Sequence, residues 1–164
     1  MRKLLTASVL ALATGGVLAA SAPAAAQYRQ EISNDMRPCA ANAGPAIKVT
    51  VQGVRGGTGV IRLQSYRAIR SEWMEKGRWL HRIEVPARAG TMTFCVPVPA
   101  AGTYGIAVRH DVNGNGKTDI SRDGGAMSNN PSINIFNLGK PSYSKVGVPV
   151  TQGVVPIVIN MRYM

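Results

Sequence analysis

Apolar and polar residues alternate along most of the chain beyond residue 45. Ile47, Val49 and Val51 are separated by Lys48 and Thr50 and followed by Gln52, the two-residue period of a strand with one buried face. Ile61 and Leu63 against Arg62 and Gln64 predict a strand over 60–66, and Trp79, Ile83 and Val85 share one face of a strand over 79–85. Met92, Phe94 and Val96 form a further apolar face. Tyr104, Ile106 and Val108 form another, against Gly105, Ala107 and Arg109. The last two predicted strands cover 143–150 and 154–163. The final one is apolar on both faces, which predicts a central or buried place, weakened by Pro156 and Asn160. Glycine and proline clusters separate the strands, and a long Gly/Asn-rich loop is predicted over 111–141. The polar connection over 68–77 has room for one helical turn. No long helical period competes, so the pattern predicts an all-β chain, a single seven-stranded antiparallel β-sandwich over residues 46–164.

The first residues read differently. Arg2 and Lys3 precede an apolar run from Leu4 to Ala20, and Ala22-Pro23-Ala24-Ala25-Ala26-Gln27 follows. This is the layout of a cleaved secretory signal over 1–26, with the cut after Ala26. It predicts residence in the periplasm or outside the cell, and an irregular leader over 27–45 before the sandwich. No second apolar run is long enough to span a membrane, so no transmembrane segment is expected in the mature chain.

Export gives the two cysteines meaning. Cys39 and Cys95 are the only ones, and an oxidising compartment favours a disulfide between them. If Phe94 faces the core, strand alternation puts Cys95 on the outer face. The bridge would then hold the leader across the outside of the sheet.

The chain is strongly basic, with 19 Lys+Arg against 8 Asp+Glu. Without Arg2 and Lys3, 17 basic and 8 acidic residues leave +9. Arg62, Arg67, Arg70, Lys76, Arg78, Arg82 and Arg88 crowd the middle third. Such a balance favours anionic partners through long-range attraction. For an exported protein these are envelope components (lipopolysaccharide, anionic lipid or acidic polysaccharide), with nucleic acid not expected. A solvated basic face without a partner is the simpler account.

One stretch carries a chemical pattern. His110 is followed by Asp111-Val112-Asn113-Gly114-Asn115-Gly116-Lys117-Thr118-Asp119, the opening of an EF-hand-type loop. Calcium takes six to eight hard oxygens, which alternate residues of a tight loop can aim inward. Asp111, Asn113, Asn115, Lys117 and Asp119 are the candidate Ca²⁺ set. The twelfth position, normally a bidentate Glu, is Arg122, and Asp123 comes one residue late. An Asx-rich turn explains the same residues without an ion and is the simpler reading. His110 beside Asp111 is the sole candidate for acid–base chemistry. Neither His110 nor His81 has a zinc-type spacing, no G-x-S-x-G occurs, and no catalytic residues are predicted.

These residues resemble a known family. Thr103-Tyr104-Gly105-Ile106-Ala107-Val108-Arg109-His110 running into Asp111–Asp119 is similar to the core of the bacterial domain-of-unknown-function family 2141. Gly59-Val60-Ile61-Arg62-Leu63, Ser128-Asn129-Asn130 and Pro141-Ser142-Tyr143 match its flanking motifs. The segment 120–127 departs from its pattern. The resemblance implies an exported β-sandwich like the transthyretin-like and carboxypeptidase-regulatory-like domains, within the immunoglobulin/transthyretin-like class expected from the strand pattern, and no known activity. The expected function is a non-enzymatic binding or structural module of the envelope, with His110, Ser128, Asn129 and Asn130 in a candidate binding loop. The rivals are a calcium-stabilised adhesion or polysaccharide-binding domain, and an envelope enzyme using His110 and Asp111.

Overall fold

The computed structural model describes residues 27–133 and 139–164, so the predicted signal at 1–26 lies outside the described residues. In chain order the elements are β1 (Gln30–Glu31), β2 (Ala46–Val54), β3 (Val60–Arg67), β4 (His81–Pro86), β5 (Gly90–Pro97), β6 (Gly102–Asp111), β7 (Gly124–Met127), a short helix α1 (Tyr143–Val146), β8 (Val148–Val150), β9 (Val154–Asn160) and β10 (Arg162–Tyr163). They form two sheets. The larger runs β1-β4-β3-β6-β7-β10 with β8 also on β6, and the smaller runs β5-β2-β9. Strand β6 is long enough to take β7 against Ala107–His110 and β8 against Gly102–Tyr104 on one edge.

The predicted alternation places the core. Ile47, Val49 and Val51 of β2, Phe94 and Val96 of β5 and Ile159 of β9 meet Ile61, Leu63, Ile83, Tyr104, Ile106 and Val108 of the large sheet in one apolar cluster. Full burial of each such side chain stabilises by about 1.5–3 kcal/mol. A second cluster of Tyr66, Trp73, Trp79, Met127 and Val146 covers part of the other face of the large sheet. Gly105 lets the Trp73 ring approach, since a Cβ there would lie 2.6 Å from it.

Several expected features differ. The described residues hold ten strands rather than seven, and not all pair antiparallel: β1–β4 and β2–β9 are parallel. The strand expected over 143–150 begins as α1, because the Ser142 side chain accepts the Ser144 N–H and caps a helical turn. The strand expected over 79–85 starts at His81. Leu80 rather than Trp79 joins the main core, while Trp79 packs in the second cluster under Arg82 at 4.3 Å. The predicted final strand is neither single nor central. Strand β9 is an edge of the small sheet, where the missing N–H of Pro156 is tolerated. The chain then crosses to the large sheet as β10.

Both edges of the small sheet are blocked by one asparagine each. Asn34 Nδ2 donates to Thr93 O at 2.9 Å and its Oδ1 accepts the Cys95 N–H at 3.2 Å on β5. Asn130 Nδ2 donates to Val158 O at 3.0 Å and its Oδ1 accepts the Asn160 N–H at 2.7 Å on β9. Each carboxamide imitates a strand peptide and uses up donors and acceptors that would otherwise template aggregation. The leader is also less irregular than expected, since it carries β1 and a 3₁₀ turn over Arg37–Cys39. Cys39 and Cys95 are disulfide-bonded, with Cα atoms 5.8 Å apart. Phe94 lies in the core and Cys95 outside that cluster, as alternation requires.

His81 gives the fold a pH dependence. Burial pushes its pKa below the ordinary value, with a smaller opposing pull from the Pro97 backbone. Its Nδ1 is buried without a partner, and the cleft around it is lined by Gln27, Gln30, Leu80, Pro97, Val98 and Pro99, none of them charged. The unfolded chain therefore binds the proton more readily than the native one. Stability is present above about pH 6.5 and is lost as pH falls below it. Urea unfolding at pH 7 and pH 5 is expected to show this loss, and His81→Gln to reduce it. An unchanged slope in the variant would contradict the assignment.

Candidate functional site

The strand directions bring four segments to one pole. Strand β2 ends at Val54 opposite Gly90, which opens β5, and Val60 opens β3 opposite both Pro86 and Asp111. Gly124 opens β7 opposite Tyr163. The turns after β2 and β4, the loop between β6 and β7, and the segment 161–164 therefore share this end.

The β6–β7 loop is closed by its own polar groups. Asp111 is 3 % exposed. Its Oδ2 accepts the Gly116 N–H at 2.8 Å and Arg109 Nη2 at 3.2 Å, while Oδ1 accepts the Asn115 N–H at 3.2 Å. Arg109 also donates to Thr118 Oγ1 at 3.0 Å and Gly116 O at 3.2 Å, so one guanidinium struts the loop from the strand. Burial, then the nearby Arg62, lowers the pKa of Arg109 against the pull of Asp111 and Asp123. Asp123 is also buried and accepts the N–H groups of Val112 at 3.1 Å and Asp119 at 2.9 Å. Asn113 and Asn115 turn their amide nitrogens to one oxygen of Asp119, 2.9 Å in each case. These bonds, ahead of the charges of Arg122 and Lys117, hold the Asp119 carboxyl below the usual range. The pole also relies on Gly59, whose φ is +76° and where a Cβ would lie 2.0 Å from Asp111 O.

In this structure the candidate calcium oxygens serve donors of the loop itself. The oxygens of Asn113 and Asn115 accept the backbone N–H groups of Asn115 and Lys117. Both oxygens of Asp111 are spent on N–H donors, and Arg109 already supplies a positive charge inside the loop. Among the described residues, no three His, Cys, Asp or Glu side chains are grouped to hold a metal ion. The melting temperature is therefore expected to stay the same in 5 mM Ca²⁺ and in excess chelator. A rise of several degrees with Ca²⁺ would show that the ion displaces Arg109.

The other predicted site residues are brought near this pole or below it, in structural positions. His110 is not in the loop. It is fully buried at the end of β6, with Nδ1 2.7 Å from Tyr163 Oη and Nε2 2.8 Å from Thr58 O. Tyr163 Oη also accepts the Arg55 N–H at 3.0 Å. The pattern assigns the ring proton to Nε2, with Tyr163 donating to Nδ1. Both ring nitrogens are thus engaged in tying β6 to β10 and to the turn after β2.

Ser128, Asn129 and Asn130 directly follow β7, inside the stretch expected to be loop. Ser128 Oγ accepts the Ile106 N–H at 3.0 Å and donates to Val146 O at 2.6 Å. Asn129 Nδ2 reaches Gly147 O at 2.9 Å, and Asn130 blocks β9. Asn129 and Asn130 have φ of 63° and 49°, a left-handed pair that asparagine tolerates better than most residues. Arg109 was not singled out by the sequence pattern, and Asp123 was noted only as an acid one residue beyond the twelfth loop position. Arg109 two residues before Asp111 on one strand face was the available signal.

The fold and this loop define a small β-rich protein of two sheets, disulfide-linked, with a hydrogen-bonded Asx loop at one pole. Residues 49–157 match the family described as uncharacterized protein conserved in bacteria (DUF2141), and the chain belongs to that family. No curated protein and no solved structure matches the chain.

Proposed function

We propose that the chain is an exported, non-enzymatic module of the bacterial cell envelope, a transthyretin-like sandwich that works by presenting its β6–β7 pole. The observation that carries this reading is the use made of the polar side chains there. Asp111, Asp123, Arg109 and His110 bond to neighbouring segments of the chain, and they make a long loop rigid enough to be a display surface. The secretory layout of residues 1–26 and the pairing of both cysteines support export. Among the described residues, no helix is long and apolar enough to cross a membrane.

The test is expression of the full chain in a bacterial host, followed by osmotic-shock fractionation, N-terminal sequencing and thiol labelling. A product beginning at Gln27, released by shock or found in the medium, with no labelled thiol, is expected. An uncleaved cytoplasmic chain with two reactive thiols would overturn the reading.

A further inference from the structure

The middle-third cations do not form one open basic face. Arg62 pairs with Glu84, Arg82 with Glu31, and Arg78 lies over the Tyr28 ring at 5.3 Å. The β6–β7 pole is different. Arg55, Arg88, Lys117, Arg122 and Arg162 are all exposed there, and among the described residues none has a carboxylate within 4.0 Å. Arg55 stacks on Tyr163 at 4.7 Å. Of the three acidic side chains in the β6–β7 loop and its flanks, Asp111 and Asp123 are buried and turned onto backbone amides, so they neutralise little of the outer surface.

Large apolar side chains protrude from the same pole. Ile120 is 68 % exposed and Met164 72 %, and both line one shallow cleft with Arg122. The loop that carries Ile120 is held from below by Arg109 and Asp123, so this exposure is built in. An apolar protrusion beside Arg122, on a pole whose other exposed cations have no carboxylate partner, has the two signals that a surface anchor on an anionic bilayer needs. A soluble polyanion would use the cations and leave Ile120 in water.

We propose that this pole docks on an anionic phospholipid surface, with Ile120 entering the acyl boundary while Lys117, Arg122, Arg162, Arg55 and Arg88 meet headgroup phosphates. The proposal rests on the reading of the chain as an envelope module, but its test does not. The purified protein, as recovered from whichever fraction holds it, is co-sedimented with vesicles of phosphatidylethanolamine and phosphatidylglycerol, and with vesicles of phosphatidylcholine alone. Binding to the anionic vesicles only is expected, weakening as salt rises from 50 to 500 mM. Each cation contributes roughly fivefold to partitioning, so Lys117→Ala with Arg122→Ala should weaken it about 25-fold. Ile120→Ser should weaken it about tenfold with its salt dependence unchanged. Arg70→Ala with Lys76→Ala, at the opposite end of the molecule, should change nothing. Circular dichroism melting checks that each variant is folded, and these exposed positions should leave it unaltered.

Absence of vesicle binding at 50 mM salt would overturn the proposal. So would equal loss in the Arg70/Lys76 variant. Full competition by a heparin oligosaccharide, together with no effect of Ile120→Ser, would make the occupant an acidic polysaccharide and also overturn it. Any of these results in a protein still exported leaves the envelope reading standing.

Discussion

Replacing Cys39 and Cys95 together by serine is expected to lower the unfolding free energy by about 4 kcal/mol. The bridge joins residues 56 apart, and releasing a loop of that length returns about this much entropy to the unfolded chain. For a domain of this size the melting temperature should fall by roughly 10–15 °C. The loss has a local component too. Asn34 blocks the β5 edge from a leader that the disulfide holds in place, and β1 pairs with β4 through Gln30 and Glu31. The double variant should therefore show faster exchange of the amide at position 95, whose N–H Asn34 accepts, than of the Phe94 amide, which lies opposite Val49 inside the β2–β5 ladder. Scanning calorimetry of the oxidised, reduced and double-serine proteins checks the global effect. A fall of less than about 1 kcal/mol would mean that the hydrogen bonds of the leader suffice without the covalent tie.

Ser128→Ala is expected to cost about 3 kcal/mol, which is large for the loss of one hydroxyl. Ser128 is fully buried, and its Oγ serves both Ile106 N–H and Val146 O. Alanine leaves a donor and an acceptor unsatisfied in the interior, each costing about 1–3 kcal/mol. Those two groups belong to β6 and to the last residue of α1, so the junction of β7, β6 and α1 should loosen first. Urea unfolding with an unchanged m value is the measurement. A variant as stable as the parent would mean that Ser128 has no such structural role, and would return it to the candidate binding residues. Asn129→Ala, at an exposed position, should cost less.

The roles of the Ser-Asn-Asn motif show where sequence reading reached its limit. Polar residues after a Gly-rich stretch look like a displayed loop. Yet Ser128, Asn129 and Asn130 bond to Ile106, Val146, Gly147, Val158 and Asn160. Every partner but Ile106 comes later in the chain, at separations that no local pattern encodes. The Asp111–Asp119 spacing was legible as a tight Asx loop, and it is one. Whether its oxygens face a cavity or its own amides depended on Arg109, whose guanidinium enters from the strand. His110 is a similar case: next to Asp111 it invites chemistry, but Tyr163, 53 residues away, takes one of its nitrogens.

The two-residue period by itself determined that Ile47–Val51, Ile61–Leu63, Met92–Val96 and Tyr104–Val108 are strands and which side chains enter the core, because alternation is a local property of extended backbone. It also placed Cys95 opposite Phe94 and separated the loop at Asp111 from the strand before it. The tertiary structure alone decided that β9 lies parallel to β2 at an edge. It also decided that five cations and Ile120 share one pole while the acids beside them turn inward. Strand order, edge capping and charge pairing depend on contacts between distant segments, and the pattern along the chain gives each face without naming the neighbour it meets.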